Sequence, residues 1–403
     1  MHLLLIHQNF PGQFRDLGPA WLRQGHQVTA LGCAEAPVDG QRWEGLTYLR
    51  YSLPGDQDPS PSMRGKAVAA ACQQLQRNGS APDIVLAHSG WGEASNLRDV
   101  FPSTPLIVFP ELWGHPQALG YGFDRHLDGQ TADPLWFEQQ NQLSLDAIQV
   151  SDAAIVPCKA QAQSFPANVQ NKLTVLPEGL DLDLYGRDPA TSLTLKGHRF
   201  AAGDPLVTVV SRALEPLRGI RQTLLAWPAI AQAIPGAQLL LVGEEVQGYG
   251  IEEPPDGHSH LSACLAALPA EMDRSRIHAL GCLHHSRMVQ LLQCSACHLA
   301  LSYPYTLSWS VLEAMACAAP LISNHGSPVA SELIEGQSGL LIPFNDVKAL
   351  TDSAIALLTQ PSQRHQLGTN ARRVVETRFS HTSSLAAYEH LFDQIDPLPV
   401  RGT

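Results

Sequence analysis

The chain has 403 residues, which is too long for one compact core and indicates two domains. Hydrophobic residues make up 44% of it and charged residues 16%, so both domains are expected to fold. The net charge of −12 argues against a nucleic-acid-binding protein, which usually carries a basic face. No apolar run reaches the length of a membrane span, so no transmembrane segment is expected.

The apolar start Met1–Ile6 is short, lacks basic residues and is followed by polar ones. It is therefore expected to form a first strand and not a signal peptide. We accordingly expect a cytoplasmic protein whose eight cysteines stay reduced. Peripheral contact with a membrane is left open, although no basic amphipathic helix is evident.

The first half of the chain alternates predicted strands with predicted helices, the first of which ends at Gly25. Such alternation is typical of a parallel sheet covered by helices on both faces. The predicted strands are Leu3–Ile6, Val28–Leu31, Asp83–Ala87, Leu106–Phe109, Ala153–Val156 and Leu173–Leu176, and the longer helices are Met63–Asn78 and Pro134–Val150.

The second half repeats this alternation. Its predicted strands are Leu206–Val210, Gln238–Val242, Leu299–Leu301, Leu321–Ser323 and Leu340–Ile342, and its predicted helices are Ile220–Ala233, Ser286–Gln293, Ser310–Cys317, Val347–Leu358, Pro361–Arg378 and Thr382–Ile395. We expect an α/β protein of two Rossmann-like domains that face each other across a cleft. The expected bounds are residues 1–180 for the first domain, 181–204 for a linker, 205–379 for the second domain and 380–403 for a last helix that packs on the first domain.

Several nucleotide and metal motifs are absent or incomplete. Neither G-x-G-x-x-G nor a P-loop occurs, which argues against a dehydrogenase and a P-loop ATPase. The run from Cys294 to His298 matches a haem-attachment pattern, but without an export signal it is expected to be a helix-to-strand junction. Two cysteines without a second pair make a poor zinc site, and no metal or cofactor is expected.

A candidate anion site lies in the second half. Arg212 and Arg218 follow a predicted strand, and arginine binds phosphate through a planar donor fork that stays charged. The segment before the helix at Ser310–Cys317 can offer backbone N–H groups to an anion; it includes Ser308, Trp309 and Ser310. Glu313 in that helix can accept hydrogen bonds from a ribose diol. Together these residues predict a site for a nucleotide diphosphate attached to a sugar.

Polar residues in the first half suggest a second part of this site. His88 follows a buried strand and precedes Gly90 and Gly92, which let another group approach closely. A sugar contact and a hydrogen-bonded core histidine both fit that pattern. The acceptor or sugar-pocket candidates of this half, for which packing or solvent exposure is the alternative, are Arg15, Trp91, Glu93 and Glu111, and Tyr305 in the second half is a further candidate. The pair His284-His285 is expected to be exposed and structural.

With these motifs the chain resembles the retaining GT-B glycosyltransferases of family 4. The resemblance covers most of the chain and is strongest over residues 205–345. Its motifs are the opening His7-Gln8-Asn9-Phe10-Pro11-Gly12-Gln13-Phe14, the strand end His88-Ser89-Gly90-Trp91-Gly92-Glu93, and Pro304-Tyr305-Thr306-Leu307-Ser308-Trp309-Ser310 before Leu312-Glu313-Ala314-Met315-Ala316.

The resemblance implies roles for the donor residues. Arg212 matches an arginine that grips the donor diphosphate, and Arg218 stands where a lysine with the same task is usual. Glu313 matches the second of two family glutamates, which binds the ribose hydroxyls. Tyr305 stands where the first glutamate, a ligand of the donor sugar, would fall.

It also implies roles around these residues. The loop at Gly12 would lie near the diphosphate and His88 near the transferred sugar, and the backbone of Cys282 and Leu283 would hold the base. Residues 1–180 would bind the acceptor and residues 205–379 the nucleotide sugar. The last helix would cross back to the first domain.

The implied reaction transfers a hexose from a UDP- or GDP-sugar to an acceptor hydroxyl, with retention and without a metal, in glycan, glycoconjugate or polysaccharide biosynthesis. The acceptor would be a glycan, a lipid-linked glycan or a small molecule. Two alternatives remain open: a GT-B sugar-nucleotide epimerase, and a degenerate non-catalytic nucleotide-sugar-binding protein, for which Tyr305 gives the reason.

Overall fold

The computed structural model describes residues 1–33, 35, 42–53, 60–333 and 335–395, which form two compact units. The first unit comprises the described residues of Met1–Gly114, of Asp133–Asp181 and of 379–395. The second unit comprises His115–Ala132 and Leu182–Arg378. Each unit is built around one parallel sheet with helices, as the alternating sequence pattern predicts.

The first unit contains a seven-stranded parallel sheet in the order β3-β2-β1-β4-β5-β6-β7. The strand order reverses between β1 and β4. In open α/β sheets ligands bind in the crevice at such a reversal, beyond the carboxyl ends of the strands. Leu3, Leu4, Leu5 and Ile6 are fully buried, which explains their continuous apolar run. The strands are β1 His2–Ile6, β2 Gln27–Gly32, β3 Thr47–Arg50, β4 Ile84–His88, β5 Leu106–Phe109, β6 Ala153–Val156 and β7 Leu173–Val175, and the helices are α1 Leu17–Arg23, α2 Pro61–Arg77, α3 Leu97–Val100, α4 Pro134–Val150, α5 Lys159–Ser164 and α6 Ala167–Gln170.

The second unit contains a six-stranded parallel sheet in the order β12-β11-β10-β13-β14-β15 and an antiparallel hairpin, β8-β9. Its core packs the sheet against α7 and α11, with Trp227 fully buried. The strands are β8 Ser192–Leu195, β9 His198–Ala201, β10 Leu206–Ala213, β11 Gln238–Glu244, β12 Ile277–Gly281, β13 Cys297–Leu299, β14 Leu321–Asn324 and β15 Leu340–Ile342, and the helices are α7 Ile220–Ala233, α8 His260–Ala266, α9 His285–Cys294, α10 Trp309–Ala316, α11 Val347–Thr359 and α12 Pro361–Arg378.

Two segments differ from the expected division. The predicted linker, residues 181–204, contains the hairpin β8-β9, and from Leu182 onward it belongs to the second unit. Residues 115–132, assigned from sequence to the first domain, also belong to the second unit. The buried carboxylate of Asp124 holds them there, because it accepts hydrogen bonds from Arg221 (3.0 Å) and from the Tyr303 hydroxyl (2.7 Å).

The last described helix, α13 (His381–Gln394), belongs to the first unit, where it packs against α1. The Trp21 and Tyr388 rings meet edge to face, with centroids 5.6 Å apart, and both side chains are fully buried. Ser380 caps the helix by accepting a hydrogen bond from the Ser383 amide (3.2 Å).

Candidate functional site

A loop with a tight backbone turn follows β1 in the first unit. Gly12 has φ +47°, a conformation that favours glycine. A Cβ at this position would lie 2.3 Å from the ring of His7, so the loop can approach that ring only without a side chain. The loop continues to Gln13, which is buried.

Three predicted residues of the first unit come together at the ends of β4 and β5. The buried ring of His88 has Glu93 Oε1 at 3.3 Å from Nδ1 and Glu111 Oε2 at 3.5 Å from Nε2. The His7 ring lies beside it, with centroids 4.8 Å apart. His88 therefore lies between two carboxylates, which the sequence spacing alone did not predict.

Electrostatics favours a charged His88. Burial alone would lower the pKa of His88, but the carboxylates of Glu93 and Glu111 outweigh it and raise that pKa to about 10. Burial and the neighbouring charge of His88 lower the pKa of His7 to about 4. For Glu93 and Glu111 burial opposes ionisation, yet the His88 charge brings both carboxyl pKa values below their ordinary value.

Glu111 has a strained backbone and well-defined partners. Its φ is +56°, unusual for a residue other than glycine. Gln13 Nε2 donates a hydrogen bond to Glu111 Oε1 (2.5 Å), and Gln161 Nε2 donates to the Glu111 carbonyl (2.9 Å). No local sequence pattern marks Gln13 or Gln161, because each acts through a residue distant in the chain.

The two other candidates of the first unit, Arg15 and Trp91, are less closely associated with the His88, Glu93 and Glu111 side chains. Arg15 Nη2 forms an ion pair with the buried carboxylate of Asp16 (3.0 Å), its neighbour in the sequence. The Trp91 side chain is exposed, and its ring lies 6.3 Å from that of His88. The Trp91 amide donates to Glu93 Oε2 (3.2 Å), which makes it part of the support for that carboxylate.

In the second unit a small pocket of about 20 Å³ joins the end of β10 to the start of α10. Of the predicted site residues in this unit, Arg218, Ser308 and Ser310 line the pocket, whereas Arg212 and Glu313 do not. Arg218 is half-buried and donates through Nη1 to Ser302 Oγ (3.1 Å). Burial lowers the pKa of Arg218, but a guanidinium stays charged at neutral pH.

The start of α10 has features of an anion site. Ser308 is its N-cap residue but makes no side-chain cap hydrogen bond. Its hydroxyl instead lies 2.8 Å from that of Ser310, which can donate to the Val210 carbonyl (2.8 Å). Trp309 is the first helical residue, so the three predicted residues stand where a helix attracts negative charge.

Arg212 and Tyr305 both contact Tyr249, an aromatic residue that no sequence pattern marks. The exposed Arg212 donates to the Tyr249 hydroxyl (2.6 Å), and the Tyr249 and Tyr305 rings lie 5.7 Å apart. Arg218 lies 6.0 Å from the Tyr305 ring. The buried carboxylate of Glu215 holds this loop by accepting from the amides of Tyr249 (3.1 Å) and Gly250 (2.8 Å).

Glu313 is buried within α10 and held by Tyr185, which had no predicted role, and approached by His285, which was expected to be exposed and structural and is half-buried. The Tyr185 hydroxyl donates to Glu313 Oε1 (3.0 Å) and also lies 2.9 Å from His285 Nε2. His285 Nε2 itself lies 3.8 Å from Glu313 Oε1. No sequence signal marks Tyr185, because it lies 128 positions before its partner.

The predicted base-binding residues Cys282 and Leu283 follow β12 at the carboxyl edge of the sheet. Cys282 is exposed, and slight burial together with the neighbouring carboxylate of Glu244 raises the pKa of its thiol. Glu244 is the last residue of β11, and Arg218 follows β10. Glu244, Cys282 and Leu283 therefore lie at the same edge of the sheet as Arg218.

Two family models match the chain, one on each parallel sheet. Residues 24–185 match the model for the glycosyl transferase family 4 group, and residues 194–374 match that for glycosyl transferases group 1. The first match spans β2 to β7, and the second spans β9 to β15.

Curated relatives agree with these matches. Trehalose synthase from Pyrococcus horikoshii is 24% identical over 47% of this chain and 44% of its own length. A GDP-mannose-dependent phosphatidylinositol monomannoside mannosyltransferase from Mycolicibacterium smegmatis is 24% identical over 49% and 50%. The chain thus spans about half the length of these relatives. D-inositol 3-phosphate glycosyltransferase from Corynebacterium urealyticum is 24% identical over 94% of this chain and 84% of its own.

Solved structures show the same fold. Sucrose-phosphate synthase from Thermosynechococcus elongatus has a TM-score of 0.73 and 19% identity over 98% of both chains. Anabaena Alr3699/HepE in complex with UDP-glucose has a TM-score of 0.70 and 17% identity over 98% of this chain and 99% of that one.

Two Rossmann-like units define a protein with the GT-B fold. The two family matches support the glycosyltransferase family 4 and group 1 type for residues 24–185 and 194–374. Within the residues that the structure describes, no helix is both long and apolar enough to cross a membrane.

Proposed function

We propose that the protein is a retaining glycosyltransferase that moves a hexose from a UDP- or GDP-sugar to an acceptor hydroxyl. The observation that carries this proposal is the position of Arg218, which shares a pocket with the start of α10. A permanent cation beside a helix start without a side-chain cap suits a diphosphate. The UDP-glucose complex of a protein with this fold supports a nucleotide-sugar donor.

The remaining donor contacts follow from the same unit. Glu313 is a buried carboxylate whose geometry Tyr185 helps to fix, and a carboxylate can accept from both hydroxyls of a ribose. Arg212 would add a second positive charge to the diphosphate. The backbone beside Cys282 and Leu283 would hold the base, and that of Ser308 and Ser310 would contact the sugar. The acceptor would be a glycan, a lipid-linked glycan or a small molecule.

In the proposed step, the bond between the anomeric carbon and the diphosphate oxygen breaks. The acceptor oxygen forms a new bond to the same face of that carbon, and its proton passes to the departing phosphate oxygen. Negative charge grows on the diphosphate as this happens, and Arg218 and Arg212 would stabilise it. Loss of one hydrogen-bond donor that stabilises such a developing charge typically lowers the rate about 10²–10³-fold.

Tyr305 favours a second candidate, a nucleotide-sugar-binding protein without transferase activity. A phenol replaces the glutamate that the family resemblance expects, and its ring packs with that of Tyr249. The two candidates differ in one result. The binding protein would bind a nucleotide sugar but would not cleave the bond between the sugar and the diphosphate.

The donor site can be tested by thermal unfolding with UDP, GDP and ADP. A ligand at 100 times its dissociation constant adds about 2.7 kcal/mol to the free energy of unfolding, which raises Tm by several degrees. We expect one nucleotide to stabilise the wild-type protein and this shift to disappear in Arg218→Ala. The exposed Arg373 lies on α12, and Arg373→Ala is the matched control. A folded protein that no nucleotide stabilises would contradict the proposed donor site.

A further inference from the structure

Another cavity of the second unit lies away from the pocket that Arg218 lines. Its volume is about 260 Å³, well above the roughly 10–15 Å³ that one buried water needs. Its lining includes residues that precede three strands: Gly203 before β10, Ser295 before β13 and Pro320 before β14. In a parallel sheet these positions share the amino edge, whereas Arg218 follows β10 at the carboxyl edge. The cavity is therefore a separate site, and all of its lining residues belong to the second unit.

Three basic side chains line this cavity: Arg187, Arg364 and His365. Arg364 is half-buried and donates through Nη1 to the carbonyls of Leu357 (2.9 Å) and Leu358 (2.8 Å), in the last turn of α11. Burial lowers the pKa of the Arg364 guanidinium, which nevertheless stays charged at neutral pH. Its Nε and Nη2 make no hydrogen bond to any described residue, so capping of α11 accounts for one of its three nitrogens.

Arg187 and His365 contact each other in the same lining. Arg187 Nη1 lies within hydrogen-bond distance of His365 Nδ1. A guanidinium only donates, so Nδ1 accepts and the proton of the neutral ring lies on Nε2, where it is a donor. The Arg187 side chain is exposed, and its other guanidinium nitrogens make no hydrogen bond within the described part of the chain. The two side chains thus present further N–H donors beside those of Arg364.

The two arginines of this cavity have no acidic partner. Neither Arg187 nor Arg364 forms an ion pair with a described carboxylate, although the chain has a net charge of −12. Asp188 also lines the cavity, but it is exposed and accepts through Oδ1 from the Ala190 amide (2.9 Å). Burial of a charge costs free energy unless an opposite charge compensates it. An oxyanion would supply that charge, and the planar donor fork of arginine suits phosphate.

We propose that this cavity binds a tetrahedral oxyanion, either inorganic phosphate or the phosphate group of a metabolite, through Arg187, Arg364 and His365. The first residue of α12, Pro361, also lines the cavity, so the positive end of that helix adds to the attraction. The bound anion would link the chain at Arg187 to α12. The inference is independent of the proposed function, because no residue of the proposed donor site lines this cavity.

Thermal unfolding of the whole chain with increasing inorganic phosphate tests the inference, with chloride replaced so that the ionic strength stays constant. Phosphate also stabilises proteins by its exclusion from their surface, and this general effect acts on all variants alike. We expect an additional, saturable rise in Tm for the wild type. In Arg187→Gln the apparent affinity for phosphate should fall at least about 10-fold, in line with the loss of a charge-assisted hydrogen bond. Arg187 is exposed, so this variant should fold.

Two further variants show where the phosphate binds. Arg373→Gln removes an exposed arginine of α12 that does not line the cavity, and it should keep the wild-type affinity for phosphate. Arg218→Ala removes the cation of the donor pocket and should keep the saturable response as well. A response that is the same in wild type and Arg187→Gln would overturn the inference. A response lost in Arg218→Ala but kept in Arg187→Gln would also overturn it, because phosphate would then bind in the donor pocket.

The source of the phosphate group is identified by a comparison of glycerol 3-phosphate with inorganic phosphate. Tighter binding of the ester by the wild type would assign the cavity to the phosphate group of a metabolite, and tighter binding of inorganic phosphate would assign it to the free ion. In both cases Arg187→Gln should weaken the binding. Glycerol is the uncharged control, and a response to glycerol as large as that to glycerol 3-phosphate would contradict recognition of an anion.

Discussion

Gly12 is a position where one missing Cβ decides the local structure. Gly12→Ala adds a side chain in the left-handed region, which costs about 1–2 kcal/mol. The contact at 2.3 Å from the His7 ring adds the cost of overpacking, about 1–3 kcal/mol. We therefore expect a loss of a few kcal/mol in the free energy of unfolding, measured by urea denaturation.

Gly25 provides the matched control for this substitution. It also has a positive φ, +85°, but a Cβ there would meet no atom within 4 Å. Gly25→Ala should therefore show only the cost of the backbone conformation. Equal losses for the two variants would contradict a close approach between Gly12 and the His7 ring.

His88 predicts a dependence of stability on pH. Its pKa rises from an ordinary value of 6.5 to about 10 in the folded protein, where His7, Glu93 and Glu111 face it. The stabilisation is complete below the unfolded pKa and is lost as the pH rises through the folded pKa. Between pH 7 and 10 the wild-type protein should therefore lose more stability than His88→Gln.

Urea unfolding at a series of pH values measures this difference. His284→Gln, at an exposed histidine, should follow the wild type. Parallel curves for wild type and His88→Gln would mean that His88 is not held as a cation by its two carboxylates.

The charged residues of the site were easier to predict from the sequence than their hydrogen-bond partners. His88, Glu93 and Glu111 stand out because they follow buried strands, and the structure brings them together. Gln13 and Tyr185 did not stand out, because an amide or a phenol becomes informative only through a residue about a hundred positions away. Such pairings depend on tertiary structure, which local patterns do not contain.

At the scale of elements, α13 gives a prediction about a buried hydroxyl. Tyr388 is fully buried against Trp21, and its hydroxyl has no hydrogen-bond partner among the residues described. Burial also raises its pKa well above the ordinary value. Tyr388→Phe removes a polar atom that is buried without compensation, so the free energy of unfolding should stay the same or rise.

Tyr388→Ala tests the packing of the same helix. Removal of a large buried ring typically costs about 3–5 kcal/mol, so this variant should be strongly destabilised in urea. A loss above about 1 kcal/mol in Tyr388→Phe would show instead that the hydroxyl is hydrogen-bonded, for example to a buried water.

Elements with strong local signals were predicted to the residue. The helices Pro134–Val150 and Pro361–Arg378 begin at proline, a preferred first helical residue. The strand Leu106–Phe109 is fully buried and therefore continuously apolar. The missed parallel strands β3 and β12 lie at sheet edges, where one face stays partly exposed and the apolar run is interrupted.

At the scale of the whole molecule, the alternation of strands and helices predicted the fold class but not every boundary. Residues 115–132 could not be assigned from local pattern, because they are held by contacts such as that between Asp124 and Arg221, 97 positions apart. The hairpin β8-β9 was likewise hidden in a polar, glycine-containing segment. The two family matches nevertheless follow the same division into two sheets.

The most direct test of the account is hydrolysis of UDP-glucose or GDP-mannose, followed by proton NMR to identify the first anomer of the free sugar. A retaining transferase should release the α-anomer from these α-linked donors, and Arg218→Ala should lower kcat about 10²–10³-fold. Release of the β-anomer would contradict retention. Nucleotide binding without any sugar release would contradict catalysis and would favour the binding protein that Tyr305 suggests.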